Sequence, residues 1–362
     1  NHFKIYFSIF FLKHSFYKFN YTHNQFDMNK FSEFINELMT FSDIRPVIHL
    51  SSAKGYRARA EFGWNKGLYT MMADGKKIFM DRSSIPHSSI QEMMPKLLAS
   101  LNNSEVLTKK LFQINFRTSG TIVLVTLIYH CPLQEDWNQE IIKINNTFKN
   151  ISIIGRSKKQ KISIGEENIM LTFDHGESNF KILQNDTVFF QPNFYLYPMM
   201  ISFIIKHLKK SEDLLELYCG CGGFTLPLAK NFNNIFSTES NKHAIKLLKE
   251  SIMLNGINNI NTARLSDNET ASALNNDRAF RRLDSIDLKS YRFSHILVDP
   301  PRAGLSEETI NLSKKFKNMI YISCNPKTFF KDLEKLDRKI DSIGLFDQFS
   351  NTHHLEVIAM LK

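Results

Sequence analysis

A cysteine, a carboxylate and a glycine-rich turn each stand directly after an apolar segment typical of a buried strand. They are Cys324, Asp299 and residues 220–223. Ligands bind at the carboxyl ends of the strands in an open α/β sheet, so these groups should lie at one edge. The glycines let backbone amides approach a ligand closely. The pattern predicts a nucleotide-like cofactor beside a cysteine nucleophile.

A second carboxylate supports the prediction of a cofactor. Glu239 ends the strand after the glycine-rich turn, at a spacing of about 20 residues where dinucleotide-binding folds place the acid that binds ribose hydroxyls. Each feature also has a purely structural explanation: a tight turn with a surface Glu, two prolines that end the strand at Asp299, and a buried core cysteine at position 324. Because Asn325 and Pro326 break the strand after Cys324, we expect the thiol at the rim of the sheet.

The elements that must position these residues alternate between helix and strand after residue 193. Strands are predicted at 213–218, 235–238, 260–264, 294–298, 318–323 and 343–347. This alternation predicts an α/β fold with a Rossmann-like, mostly parallel sheet. We assign residues 187–362 to this domain.

Residues 28–186 have a different pattern of short strands and turns. Residues 56–62 alternate between apolar and charged side chains, and residues 111–129 predict a hairpin. Helices are predicted at 31–41 and 92–101. The pattern indicates a smaller, β-rich α+β domain.

Residues 1–27 precede the first methionine, Met28. Their apolar run is too short for a signal peptide or a membrane helix, so we expect read-through of upstream sequence that is not part of the native fold.

Composition and charge narrow the class of protein. The 362 residues suffice for two domains, and 43% hydrophobic with 23% charged residues is ordinary for a globular protein. The net charge of +10 favours a polyanionic partner only weakly, because abundant Lys and Asn also follow from a genome rich in A and T. Four cysteines without a tight cluster predict no disulfide framework and no metal site. We expect a reducing, cytoplasmic location and no membrane association.

The motifs in combination resemble the bacterial S-adenosylmethionine-dependent tRNA (uracil-5-)-methyltransferases. The resemblance rests on LLELYCGCGGF at 214–224, DPPRAGL at 299–305, YISCNP at 321–326, LFDQF at 345–349 and THHLE at 352–356. It continues upstream through RARAEF, KLFQI, IGR, FQPN and IDLKSY, and covers nearly all of the chain from Met28. Arg302 stands where the Asp/Asn-Pro-Pro-aromatic motif of amine methyltransferases has an aromatic residue, which argues against amine methylation.

The resemblance implies that the T-loop uridine of tRNA is methylated at C5 to give ribothymidine. It implies that Cys324 is the nucleophile that adds to C6 of uracil, and that Glu356 is the base that removes the C5 proton. The implied cofactor is S-adenosyl-L-methionine. The implied cofactor-binding residues are Gln191, Tyr218, Gly223, Glu239 and Asp299.

Two sites depart from the pattern of the family. Gly223 and Cys221 stand where the most similar bacterial relatives have Asn, so a side-chain contact to the cofactor is lost. Ser350 and Asn351 replace the usual Pro-Tyr, and we expect a looser approach to Glu356.

The implied partner is the T-arm of tRNA, with tmRNA as a further candidate, and we expect the protein to act as a monomer. Candidate phosphate contacts are Lys54, Arg57, Arg59, Arg156, Lys158, Lys159 and Lys161, and candidate stacking residues are Phe112 and Phe116. One alternative is a ribosomal-RNA or tmRNA uracil-5 methyltransferase. Another is a tRNA-folding chaperone in which methylation is weak or lost.

Overall fold

A computed structural model describes residues 25–73, 75–350 and 352–362, with side chains from residue 29 onward. The helices are α1 (Gln25–Leu38), α2 (Ser88–Asn102), α3 (Glu105–Thr108), α4 (Glu135–Thr147), α5 (Leu196–His207), α6 (Thr225–Leu228), α7 (Lys242–Leu254), α8 (Asp267–Asn275), α9 (Glu307–Ser313) and α10 (Pro326–Leu336).

The strands form two large sheets and one hairpin. They are β1 (Val47–His49), β2 (Arg59–Asn65), β3 (Leu68–Ala73), β4 (Lys76–Met80), β5 (Leu111–Thr118), β6 (Val123–Tyr129), β7 (Ile151–Ser157), β8 (Gln160–Ile164), β9 (Ile169–His175), β10 (Ser178–Gln184), β11 (Asp213–Leu217), β12 (Ile235–Thr238), β13 (Ile260–Ala263), β14 (Phe293–Val298), β15 (Asn318–Ser323), β16 (Ile340–Phe346) and β17 (Glu356–Leu361).

The larger sheet has eight strands in the order β1-β16-β17-β15-β14-β11-β12-β13. Its neighbouring strands run parallel except that β17 is antiparallel to both β15 and β16. The strand order reverses between β11 and β14, which is where open α/β sheets bind ligands. The predicted α/β fold class with a mostly parallel sheet is confirmed.

The central strands of this sheet are mostly apolar because helices cover both faces, and the buried Glu216 of β11 is an exception that accepts a hydrogen bond from the Ser237 hydroxyl at 2.9 Å. In β11, Leu214 packs into one core with α5, while its neighbour Leu215 packs into the core on the opposite face. Ile320 and Met319 of β15 divide between the two faces in the same way. Because both faces are buried, polar side chains that a ligand can reach are expected at the strand ends.

The smaller sheet has seven strands in the order β4-β3-β2-β5-β6-β7-β8 and is antiparallel except where β6 meets β7. Side chains from α2, α3 and α4 bury its inner face. The β-rich character expected of the N-terminal half is present, within residues 59–164.

Three segments on the amino-terminal side of the domain boundary predicted at residue 186 pack with the larger sheet: α1, β1 and the β9–β10 hairpin. The predicted domains, 28–186 and 187–362, do not describe this packing. β1 pairs with β16 of the larger sheet, and Phe34 of α1 lies 4.8 Å from the ring of Phe330 in α10. The β9–β10 hairpin buries Phe180 and Ile182 in the core that α5 also lines. β1 thus extends the larger sheet at the edge of β16, whereas the β9–β10 hairpin remains a separate two-stranded sheet that packs on one face of it. The predicted extension, residues 1–27, lies outside the described residues except for the first three residues of α1.

One prediction about an aromatic side chain is wrong. Phe116 is 1% exposed and packs in the core of the smaller sheet, so it cannot stack on RNA. Phe112 is 49% exposed, although the two residues should share a face of a regular strand. The register of β5 against β6 shifts between Leu111 and Gln113, and such a bulge turns the intervening side chain outward.

Candidate active site

Three strand ends bring Cys324, Asp299 and Glu356 to one edge of the larger sheet. Asp299 directly follows β14, and Cys324 directly follows the neighbouring β15. Glu356 begins β17, and because that strand is antiparallel to β15, its first residue reaches the same edge. Cys324 is half-buried, and 5% of Glu356 is exposed. The predicted convergence of a thiol and a carboxylate is therefore present.

The turn after β15 holds Cys324 at the rim. Asn325 begins α10 by accepting a hydrogen bond from the Lys327 backbone N–H at 3.2 Å, and Pro326 is the first residue of the helix. The Asn325 side chain also donates to the carbonyl of Arg302 at 3.1 Å. This bond ties the loop after Asp299 to the turn that carries the thiol.

Burial and mutual repulsion set the protonation of the three groups. Burial, and then the charges of Glu356 and Asp299, raise the pKa of Cys324 to about 11, while Arg302 acts in the opposite direction. Burial and then the Asp299 charge hold the pKa of Glu356 well above its usual range. Burial also raises the pKa of Asp299. At neutral pH the thiol is protonated, so it needs a proton acceptor as it attacks, and the carboxyl groups are well placed to exchange protons.

Two glutamine side chains form a hydrogen-bonded chain that ends at the Asp299 carboxyl group. Gln191 Nε2 lies 3.4 Å from Asp299 Oδ2, and Gln348 Nε2 donates to Gln191 Oε1 at 2.7 Å. Gln348 Oε1 is buried and has no hydrogen-bond partner in the described part of the chain. A buried acceptor without a donor is costly, which indicates that a bound ligand supplies one. Gln348 was not among the predicted site residues, although it lies in the LFDQF motif.

The glycine-rich turn after β11 has the backbone that a close ligand approach requires. Tyr218 has a φ of +59°, a strained value for a non-glycine residue, and Gly222 has a φ of +95°. A Cβ on Gly222 would lie 2.5 Å from Leu248, so this turn is tight. Tyr218 Oη donates to Asp267 at 2.7 Å. Asp267 was not among the predicted site residues, although the spacing of Ser266 and Glu269 predicts a helix start at this position.

Glu239 lies where the sequence predicts, directly after β12. Its Oε2 accepts from the Gly220 N–H at 3.2 Å, and its Oε1 accepts from the Asn241 N–H at 2.7 Å. These bonds hold the carboxylate against the glycine-rich turn. Tyr197 donates to the carbonyl of Gly223 and supports the turn from the opposite side.

Cationic side chains surround the mouth of the site. The Arg57 guanidinium lies 5.0 Å from the ring centre of Phe349, and Phe349 also contacts His354. Burial, followed by the charges of Arg302 and its cationic neighbours, lowers the pKa of His354. His354 is therefore neutral at neutral pH, and we call the two guanidinium groups, Arg57 and Arg302, the cationic mouth. It favours an anionic ligand.

The loop before Glu356 is not loosened by Ser350, contrary to expectation. Ser350 is 3% exposed, and its hydroxyl lies 3.2 Å from Asp347 Oδ2 and 3.0 Å from the carbonyl of Ser52. These contacts replace the restriction that a proline would supply. Asn351 lies outside the described residues.

Within the described ranges, no group of three or more His, Cys, Asp or Glu side chains could hold a metal ion. None of the helices in that part of the chain is long and apolar enough to cross a membrane.

Comparison with known proteins decides the family. A family model described as tRNA (Uracil-5-)-methyltransferase matches residues 22–362. The tRNA/tmRNA (uracil-C(5))-methyltransferase of Campylobacter concisus is 42% identical over 330 residues, which cover 89% of this chain and 90% of that protein. The chain belongs to the tRNA (uracil-5-)-methyltransferase family.

Further members of the family agree with this assignment. The tRNA/tmRNA (uracil-C(5))-methyltransferase of Teredinibacter turnerae is 43% identical over 326 residues, which cover 86% of this chain and 89% of that protein. The fold is similar to that of the Pyrococcus abyssi tRNA (uracil-54, C5)-methyltransferase, solved in complex with S-adenosyl-L-homocysteine. The TM-score is 0.72 at 21% identity, covering 93% of this chain and 83% of that chain. The predicted family and the prediction of an enzyme are confirmed.

The charge of Asp299 should slow chemical modification of the thiol. Asp299→Asn removes a negative charge that raises the Cys324 pKa, so at mildly alkaline pH the thiolate fraction should rise. We expect alkylation of Cys324 by iodoacetamide to accelerate roughly several-fold, measured by mass spectrometry of the modified peptide. Cys131, a free thiol in the N-terminal half, is the internal control. An unchanged Cys324 rate would show that the carboxylate does not act on the thiol.

Proposed function

We propose that this enzyme methylates C5 of the T-loop uridine in tRNA, forming ribothymidine, with S-adenosyl-L-methionine as methyl donor. The observation that carries the proposal is the convergence of Cys324, Asp299 and Glu356 beside the glycine-rich turn. Family membership supports methylation at uracil C5. We further propose that it acts as a monomer in the cytoplasm, where tRNA and a reduced Cys324 thiol are both available.

The residues around the turn fit an S-adenosyl-L-methionine molecule. Gly222 packs so closely on Leu248 that a Cβ does not fit, which fixes the turn, and backbone amides hold Glu239 against it, where we expect a ribose-binding acid. The unpartnered Gln348 Oε1 lies at the end of the amide chain through Gln191. We propose that Gln191, Tyr218, Gly223, Glu239 and Asp299 hold the cofactor. When bound, it supplies the electrophilic methyl group that uracil C5 accepts.

Covalent addition is the step that activates the base. Uracil C5 is too weak a nucleophile to attack a sulfonium unaided, and addition of Cys324 Sγ to C6 pushes the double-bond electrons toward C5 and O4 as an enolate. The thiol proton passes to Asp299, whose pKa burial raises to about 7, so that its ionised form is available as an acceptor at neutral pH.

Elimination restores the enzyme. The methylated adduct carries one hydrogen at C5, and Glu356 takes it as a proton. The electrons of that C–H bond re-form the C5–C6 double bond and expel Cys324 as a thiolate, which recovers its proton from Asp299. The proton on Glu356 then leaves to solvent, which accounts for the one proton released for each methyl group transferred. A buried carboxylate is a stronger base than an exposed one, so the low-dielectric position of Glu356 assists this step.

The uridine must leave its loop to reach the thiol. We propose that the cationic mouth receives the phosphates beside the extruded nucleotide, and that exposed Phe112, whose ring lies 4.4 Å from that of His130, stacks on an unpaired base. Lys158 and Lys159 form the exposed turn between β7 and β8 and are free of the ion pairs that hold Arg156 to Asp186 and Lys161 to Glu167.

Uracil in tmRNA is a second candidate substrate, because relatives 38–43% identical carry the name tRNA/tmRNA (uracil-C(5))-methyltransferase. Methylation of both RNAs by the purified enzyme would support this wider range. Methylation of tRNA alone would restrict it.

Two substitutions separate the addition and elimination steps. Cys324→Ala should abolish methylation while tRNA binding persists, because addition to C6 comes first. Glu356→Gln should permit addition and methyl transfer but block proton removal, so that a covalent protein–tRNA adduct accumulates on denaturing electrophoresis. The double variant should form no adduct. Normal turnover by Glu356→Gln would exclude it as the base, and a wild-type enzyme that neither methylates tRNA nor traps 5-fluorouridine tRNA would favour a chaperone.

Gly223 offers a test of cofactor binding. A Cβ there would lie 3.5 Å from the Phe190 ring, an ordinary contact, so Gly223→Asn fits and should tighten S-adenosyl-L-methionine binding by about 1 kcal/mol through one new hydrogen bond. Gly222→Ala is the matched control and should weaken binding, because its Cβ would meet Leu248 at 2.5 Å. Calorimetric titration measures both. Weaker binding by Gly223→Asn would mean that the turn has repacked around glycine.

The exposed turn between β7 and β8 should contribute salt-dependent RNA affinity. Neutralising Lys158 and Lys159 should weaken binding of all tRNAs alike, and reduce the slope of log affinity against log salt by about 1 to 2. Lys209 and Lys210, which are exposed beyond the end of α5, provide the matched control and should leave the slope unchanged. If neutralising Lys209 and Lys210 reduced the salt slope as much as neutralising Lys158 and Lys159, the turn between β7 and β8 would not be a specific RNA contact.

A further inference from the structure

The amino-terminal helix places a buried ammonium group on the loop that precedes Glu356. Lys30 of α1 and Asp347 form an ion pair in which the side chains are 3% and 0% exposed. Lys30 Nζ lies 2.5 Å from Asp347 Oδ1, 3.1 Å from the Thr352 carbonyl and 3.4 Å from the Phe349 carbonyl. An ammonium group has three donors, so all three are directed at this one loop.

The same loop is fixed from its other side. The Asp347 N–H donates to the carbonyl of His49 at 2.9 Å, which extends the pairing of β1 with β16. The Ser350 hydroxyl contacts Asp347 and the Ser52 carbonyl. Residues 347–350 and 352 are therefore held between two segments from the first 52 residues of the chain, and we call these residues the clamped loop.

Stability alone is a poor explanation for the buried pair. Apolar side chains of similar volume commonly stabilise a fold as well as a buried ion pair does, whereas a charge pair with directed hydrogen bonds fixes one geometry. The clamped loop runs into β17, whose first residue is Glu356. A shift of the loop would move that carboxyl relative to the substrate while leaving Cys324, on β15, in place.

We propose that Lys30 is a positioning residue for Glu356: by its contacts to Asp347, Phe349 and Thr352 in the clamped loop, it sets the carboxyl where it meets the C5 proton. This inference rests on the proposed role of Glu356 as the base. It assigns to α1 a part in elimination and none in addition, because the thiol and the glycine-rich turn belong to other strands.

The test compares two RNA substrates with full-length Lys30→Met. On ordinary tRNA, turnover should fall roughly tenfold, part of the ~10²–10⁴ that a positioned base contributes, and the covalent adduct should accumulate. On 5-fluorouridine tRNA, which arrests after methyl transfer because fluorine at C5 cannot leave as a proton, adduct should form within about twofold of the wild-type rate. Affinity for S-adenosyl-L-methionine should not change. A parallel fall on both substrates would overturn the proposal.

Two further variants separate positioning from general stability. Leu38→Ala removes a fully buried side chain of the same helix without touching the clamped loop, and should cause no adduct accumulation on ordinary tRNA. If it accumulates adduct as Lys30→Met does, the ion contacts are not specific and the proposal fails. Lys30→Met combined with Asp347→Asn leaves no unpaired buried charge, so it should fold even if the single variant does not. It should still accumulate adduct, because the contacts to the Phe349 and Thr352 carbonyls remain lost; normal turnover would contradict the proposal.

The proposed base is tested separately. If Glu356→Gln turns over normally, the assignment of Glu356 fails whatever Lys30→Met does. If Glu356→Gln accumulates adduct and Lys30→Met does not, only the positioning role is wrong.

Discussion

Burial of two carboxyl groups beside a thiol is the constraint on which the rest of the structure depends. Charges of like sign brought together away from water repel, so Asp299, Cys324 and Glu356 favour their protonated forms. Such an arrangement persists only where the surrounding packing fixes each backbone. Parallel β14 and β15 provide two of the positions, and antiparallel β17 provides the third from a strand that arrives in the opposite direction.

The walls of this site come from distant parts of the chain, and Asn193 joins them. It is fully buried, and its Nδ2 donates to Ser51 Oγ at 2.6 Å and lies 3.3 Å from the Gln348 carbonyl. The N–H groups of Tyr195 and Leu196 donate to its Oδ1. One side chain thus connects the segment after β1, the loop after β16 and the start of α5. The amide chain from Gln348 through Gln191 to Asp299 depends on the same junction.

The local elements of the larger sheet follow from sequence, whereas their long-range partners do not. The strands 235–238 and 318–323 were predictable with their ends because each is an apolar run stopped by a polar or helix-starting residue. The position of β1 in the larger sheet was not predictable, because its pairing with β16 joins segments nearly 300 residues apart and depends on a free sheet edge. Gln348 was not predicted as a site residue because glutamine is usually exposed, and the sequence does not show that this side chain is buried. Phe116 was misjudged because a bulge breaks the two-residue period.

The clamped loop shows how a change from the family pattern can be absorbed. A proline stabilises a fold mainly by lowering the conformational entropy of the unfolded chain, and a serine at position 350 does not provide this effect. In exchange its hydroxyl bridges Asp347 and the Ser52 carbonyl inside the folded protein, beside an ammonium group that already directs its donors to the same loop. Hydrogen bonds of this kind act only when the partner segments are in place. The loop before Glu356 is therefore held in this chain by the docking of α1 and β1, so the carboxyl that we propose as the base depends for its position on residues near the beginning of the fold.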